Sequence, residues 1–188
     1  MNLIIFGPPG AGKGTQADFI VNKLNLYKLS TGEVLRKEIK NRTDLGKEIS
    51  SIINSGSLVS DDIVKKLVEK FISNNKYKNR LIFDGYPRNI NQAKTLNELL
   101  NKYGQKVDLV LKLSVSLDTI KKRIIERQTI EKREDDNEET AIKRYKTYEK
   151  STEPVIEYYK KLNLLKVIDG ERSIDQINKE ISDIINLI

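Results

Sequence analysis

Cysteine, histidine and tryptophan are all missing from this 188-residue chain. Without the first two there is no disulfide, thiolate nucleophile, imidazole acid or base, or Cys/His zinc centre, so any metal must be held by oxygen. No apolar stretch approaches the roughly 20 residues that span a bilayer. Met1 to Phe6 runs into a glycine-rich loop instead of a leader's cleavage pattern. These absences predict a cytoplasmic protein with no membrane partner. Aromatic residues make up only 6%, little material for the stacking platforms on which single-stranded nucleic acids lie.

What is present is an ordinary globular composition, with 38% hydrophobic and 32% charged residues, consistent with one domain over residues 1–188. The formal charge of +7 is spread as lysines among acidic residues, with no basic tail or block. It reads as a solvated surface, and no nucleic-acid partner is expected.

The apolar run from Asn2 to Phe6, the loop after it and the helical spacing of Ala17, Ile20, Val21 and Leu24 predict strand, loop, helix. A short strand is expected over Leu26 to Leu29. Ser30 followed by Glu33 forms a capping-box pattern for a helix reaching Lys40. Thr43 to Asn54 and Ser60 to Ser73 read as further helices before a buried strand, Arg80 to Phe83, closed by Asp84-Gly85. Three consecutive helices between strands suggest an inserted subdomain. Asn89 to Lys102 is expected to be helical, Val107 to Leu113 a strand, and Ser116 to Arg127 a helix. Gln128 to Asp135 reads as a short loop, with Asp136 capping the next helix and Glu139 at its third position. Leu164 to Ile168 and Ser173 to Ile185 close the chain as strand and amphipathic helix. The alternation predicts an α/β fold with a parallel sheet and crossover helices.

The strongest signal is Gly7-Pro8-Pro9-Gly10-Ala11-Gly12-Lys13-Gly14-Thr15, placed between strand and helix. Glycines let successive N–H groups face inward as an anion nest, the helix adds its positive end, and Lys13 brings a mobile charge to phosphate. Two other readings compete: a plain glycine turn, and a dinucleotide fingerprint, which Gly12-Lys13-Gly14-Thr15-Gln16-Ala17 formally satisfies. The fingerprint's first glycine should follow the strand directly, and Gly12 does not. The residue after the lysine is Gly14, with the hydroxyl one place later at Thr15.

That loop, followed by Ser30-Thr31-Gly32-Glu33-Val34-Leu35-Arg36, then Asp84-Gly85-Tyr86-Pro87-Arg88, then Asp135-Asp136-Asn137-Glu138-Glu139-Thr140, resembles the adenylate kinases in order and spacing over essentially the whole chain. The resemblance implies a P-loop NTPase fold: a five-stranded parallel sheet flanked by helices, an AMP-binding helical subdomain at residues 30–59 and a short lid at 127–136. It implies reversible transfer of the γ-phosphoryl group of ATP to AMP, giving two ADP, by a monomer using Mg²⁺ and no zinc.

By the same resemblance, ATP is held by Gly10, Ala11, Gly12, Lys13, Gly14, Thr15, Arg127 and the main chain of Arg172. AMP is held by Thr31, Arg36, Ser57, Leu58, Val59, Gly85, Tyr86, Pro87, Arg88 and Gln92. Lys13, Arg88, Arg123, Arg133 and Arg144 are the expected catalytic cations, with Arg133 and Arg144 also reaching AMP. Asp84 and Thr15 are the expected Mg²⁺ side chains, through water. Phosphoryl transfer suits such a set, because catalysis consists of positioning and cancelling charge, for which a planar guanidinium is well shaped. Arg123 and Arg127 stand four apart on one helix face. Thr31 and Gln92 favour adenine, a glutamine amide being able to offer donor and acceptor to a base edge. The rival readings are a uridylate/cytidylate kinase of the same fold, and a P-loop regulator or nucleic-acid-binding ATPase.

Overall fold

The computed structural model describes residues 1–131 and 137–188. Five parallel strands, β1 (Leu3–Phe6), β2 (Tyr27–Ser30), β3 (Leu81–Asp84), β4 (Leu109–Ser114) and β5 (Leu165–Asp169), form one sheet in the order β2-β3-β1-β4-β5. Every residue of β1 and β3 is buried. This explains why both read as unbroken apolar runs: a parallel sheet is covered on both faces.

The two faces support separate cores. Ile4 and Phe6 of β1 join Leu81 and Phe83 against α4 (Asp61–Ile72), α5 (Ile90–Lys102) and α8 (Glu153–Lys161). Leu3 and Ile5 point the other way, with Ile82 and Leu111, onto Ala17 and Ile20 of α1 (Lys13–Leu24) and Ile177, Ile181 and Ile185 of α9 (Ile174–Ile185). A third, small cluster consists of Ile120, Ile124 and Ala141, joining α6 (Leu117–Glu131) to α7 (Glu138–Ser151). Between β2 and β3 the chain also forms α2 (Thr31–Lys40) and α3 (Asp44–Asn54). These two pack so closely at Gly46 that an added Cβ would lie 2.1 Å from the Glu38 carbonyl oxygen.

Three local expectations are corrected. Ser30 makes no side-chain cap on α2. Glu33 instead turns to Lys28, at 3.3 Å. The loop expected from Gln128 does not begin there, because α6 runs on to Glu131; residues 132–136 lie outside the described residues. Gln128 and Glu131 are good helix formers and nothing in the segment breaks a helix. The cap of α7 is Asn137, whose Oδ1 accepts the Thr140 N–H at 2.8 Å; Asp136 lies outside the described residues. Helix α8, begun by Pro154 in its first turn, has no counterpart in the sequence reading. No helix among the described residues is long and apolar enough to cross a membrane.

Candidate active site

The chain leaves β1 toward β2 and β3 on one side, then crosses to β4 and β5 on the other. The carboxyl ends of β1, β3 and β4 thus open on a switch point, where α/β sheets hold ligands. A cleft of about 670 Å³ lies there.

The loop after β1 forms its floor. Gly10 (φ +83°) and Gly12 (φ +89°) are left-handed, a conformation costing residues with a Cβ roughly 1–2 kcal/mol. At Gly10 a Cβ would also meet Ile124 Cγ1 at 3.1 Å and the Ile120 carbonyl at 3.3 Å, so glycine lets the loop rest directly on α6. Ala11 is buried beneath the loop, and its N–H donates to the Pro8 carbonyl at 3.1 Å. Gly12 caps α1 without a side chain, and the first turn of α1 carries no acidic residue. The positive end of the helix therefore faces the cleft uncompensated. Lys13 Nζ folds back to donate to the Pro8 carbonyl at 3.0 Å.

The β3 end supplies Asp84, which is 8% exposed, and then Gly85. The Gly85 carbonyl accepts from Arg88 Nε at 2.7 Å and from the Thr31 hydroxyl at 3.0 Å. The Arg88 N–H donates to Gln92 Oε1 at 2.7 Å, and its carbonyl accepts from the Thr152 hydroxyl at 3.0 Å. Backbone and side chain of Arg88 are thus pinned before any ligand arrives. Arg36, Arg123, Arg127 and Arg144 reach the same cleft from α2, α6 and α7.

These cations face each other around Asp84, the buried carboxylate among the acidic residues that line the cleft. Lys13 is half-buried by surface area, yet protein crowds its ammonium. That burial lowers it from 10.5 to about 8, Asp84 opposing the fall and Arg88, Arg144 and Arg127 adding to it. Arg88 falls to about 10, first through burial, then through repulsion by Arg144, with Asp84 again opposing.

A narrower recess adjoins the cleft, walled by Thr31, Leu58, Val59 and Gln92, with Arg36, Arg88 and Arg144 shared between the two. Ser57 and Gly85 are at its rim. Tyr86 is buried, its hydroxyl donating to the Gln92 carbonyl at 3.2 Å. Pro87 lines a small cavity behind the loop.

Arg172 does not turn its side chain into the cleft; it pairs with Glu180 and Asp169. Ile174, two residues on, lines the cleft instead. Arg133 lies outside the described residues. Sequence reading missed Ile174 and the Lys28–Asp18 pair (2.8 Å) at the cleft wall, because side chains from separate elements meet there without a local motif. It also missed Glu171, whose carboxylate accepts from the Ser116 N–H at 2.6 Å and the Thr119 hydroxyl at 2.7 Å. These bonds hold its pKa down at about 2. Beside it, Arg123 Nη2 donates to the Gly170 carbonyl at 3.0 Å, so the loop after β5 is tied twice to α6.

For Mg²⁺ the donors fit. Asp84 and Thr15 both line the cleft and are hard oxygen ligands. Among the described residues no group of three or more acidic side chains forms a cage, in keeping with an ion that keeps waters and takes ligands from substrate phosphates.

Cations gathered this tightly are completed by a polyanion, and the sheet edge on which they gather is the one where P-loop phosphotransferases seat nucleotide phosphates. The model of the family described as adenylate kinase matches residues 5–164. Among curated relatives, the adenylate kinase of Pelagibacter ubique (strain HTCC1062) is 46% identical, with all of both chains covered. That of Prochlorococcus marinus (strain MIT 9515) is 45% identical with 96% of each covered, and that of Fusobacterium nucleatum 38% with 98% of each. The chain belongs to the adenylate kinase family.

Proposed function

We propose that the chain carries the γ-phosphoryl group of Mg·ATP to AMP, yielding two ADP, and runs the reaction in both directions. The observation that carries this reading is the convergence of Lys13, Arg36, Arg88, Arg127 and Arg144 on one cleft whose floor holds a single buried carboxylate, Asp84.

In this reading ATP lies along residues 10–15, its β- and γ-phosphates on the N–H groups of the loop and on Lys13, its base near the main chain of Arg172 and the side chain of Ile174. AMP occupies the recess, with its phosphate between Arg36 and Arg88 and its base against Thr31, Leu58, Val59 and Gln92. A phosphate oxygen of AMP attacks the γ-phosphorus. The new P–O bond forms as the bond to the β–γ bridging oxygen breaks, and ADP leaves with that electron pair. No general base is required, because the second ionisation of a phosphomonoester lies near pH 6. Arg88, Arg123 and Arg144 spread the charge of the equatorial oxygens, Arg88 and Arg123 being already held by the Gly85 and Gly170 carbonyls so that little reorganisation is needed there. Asp84 and Thr15 would hold Mg²⁺ bound with ATP, which would supply further charge neutralisation on the phosphates.

Residues 30–59 act as the AMP-binding subdomain, and residues 127–136, with Arg133, as a short lid. The alignment with the Pelagibacter relative runs over 213 positions against 180 for the Prochlorococcus one. The first exceeds this 188-residue chain, so that relative has segments without a counterpart here. The protein works as a cytoplasmic monomer on small nucleotides.

The test is ADP formation from Mg·ATP with AMP, CMP, UMP and GMP offered singly. AMP is expected to be preferred by a wide margin. Preference for a pyrimidine nucleotide would replace the acceptor, and absence of transfer to all four would remove the reading.

A further inference from the structure

Gln92 is 4% exposed and sits at the wall of the recess. Its amide is held at both ends. Oε1 accepts the backbone N–H of Arg88 at 2.7 Å, and Nε2 donates to Asp61 Oδ1 at 2.7 Å. A backbone N–H can only donate and a carboxylate can only accept, so the two partners leave one orientation of the amide and forbid its flip. Asp61 is itself placed by Asn89, whose Nδ2 donates to Oδ1 at 3.0 Å and to Oδ2 at 3.3 Å. Asn89 Oδ1 in turn accepts the Gln92 N–H at 2.8 Å as the cap of α5. The first residue of α4 and the first turn of α5 are joined through this one carboxylate.

We propose that Asp61 is a specificity-determining positioning residue, which fixes the donor–acceptor order that Gln92 shows to the acceptor nucleobase. The inference rests on the recess being the AMP site. With both ends held, the valences left to the amide are one Nε2–H and one Oε1 lone pair. Adenine offers a 6-amino donor beside the N1 acceptor, which this order matches. Hypoxanthine offers an O6 acceptor beside an N1–H donor, the reverse, and would pair only with a flipped amide. Flipping would turn Nε2 toward the Arg88 N–H and Oε1 toward the Asp61 carboxylate, so each restraint opposes it. Asp61 touches no substrate in this arrangement. Its contribution is to discrimination, where an unpaired buried polar group is what rejects the wrong base.

The experiment compares kcat/KM for AMP and IMP, which differ by this inversion alone, in the wild type and in Asp61→Ala, Asp61→Asn and Gln92→Ala, with KM for ATP and thermal unfolding measured alongside. Asp61→Ala should lower the AMP/IMP ratio about tenfold, chiefly through KM for AMP, with KM for ATP unchanged. Asp61→Asn keeps an oxygen at the point where both amide donors converge, and should restore most of the ratio. If Asp61→Ala keeps the wild-type ratio while Gln92→Ala collapses it, the positioning role is wrong and the AMP site stands. If Gln92→Ala also leaves AMP kinetics untouched, the site reading itself fails. Equal losses in Asp61→Ala and Asp61→Asn, with folding intact, would overturn the hydrogen-bond account.

Discussion

Lys13→Met should make the nucleotide-free protein more stable while stopping phosphoryl transfer. The fold lowers the Lys13 pKa from 10.5 to about 8, and each unit corresponds to about 1.4 kcal/mol, so holding the ammonium charged in the empty cleft costs about 3 kcal/mol. Methionine keeps most of the stem and drops the charge, losing a hydrogen bond to the Pro8 carbonyl worth about 1 kcal/mol. The net expectation is a gain of about 1–2 kcal/mol, or roughly 2–8 °C in melting temperature for a chain of this size. Urea titration and thermal melting at pH 7, in nucleotide-free buffer with chelator, measure it. The sign with pH is also determined. Folded Lys13 loses its proton near pH 8 and unfolded Lys13 near 10.5, so between these values the unfolded chain binds more protons and wild-type stability rises relative to the variant. The gap should be full below pH 8 and closed by about 10.5. Saturating Mg·ATP should reverse the order, and kcat should fall at least about 100-fold. A variant destabilised at pH 7, or a gap insensitive to pH from 8 to 10.5, would refute the view of Lys13 as a strained cation awaiting phosphate.

Two further outcomes test the frame around the cleft. Gly46→Ala gains about 1 kcal/mol of helix propensity, but the new Cβ would stand 2.1 Å from the Glu38 carbonyl oxygen and 2.8 Å from the Ile39 nitrogen. Backbone cannot swing aside as a side chain does, so the overpacking cost wins. A net loss of about 1–3 kcal/mol is expected in chemical denaturation, with KM for AMP raised; an unchanged midpoint would show that α2 and α3 separate freely. Glu171→Ala releases the loop after β5 from the start of α6, and should raise KM for ATP severalfold with KM for AMP constant. Because the folded pKa of Glu171 is held near 2 against 4.5, its contribution is full above pH 4.5 and disappears as pH falls toward 2. The stability difference between wild type and variant should follow that course, and a difference independent of pH from 5 to 2 would count against the tether.

Sequence made some of this legible and hid the rest for physical reasons. Leu3–Phe6 and Leu81–Phe83 could be read as buried strands because burial on both faces leaves no polar alternation, and the loop from Gly7 to Thr15 could be read because its chemistry is contiguous. The arginines of the cleft were found by resemblance; spacing alone would have placed only Arg123 and Arg127 together. Ser30 stands at the N-cap of α2 as expected, but the capping-box bonds are absent, and Lys28, on the preceding strand, offers Glu33 a charged partner that a linear pattern does not reveal. The last turn of α6 is hidden because Gln128 to Glu131 lack apolar periodicity, although Gln128 and Glu131 are good helix formers. Asp61 could not be connected to Gln92, since nothing in either segment announces that α4 and α5 begin side by side.

The small size of the cluster formed by Ile120, Ile124 and Ala141 has a thermodynamic consequence. The two cores on the sheet are each sealed by several elements, whereas among the described residues α6 and α7 are joined to one another by three buried apolar side chains with Val115 and Tyr145 beside them. Free energies of local opening track such burial, so the molecule has no single stability. Its strands share the full global value, while the helices that carry Arg123, Arg127 and Arg144 occupy a lower rung and can come apart and re-form many times for each complete unfolding.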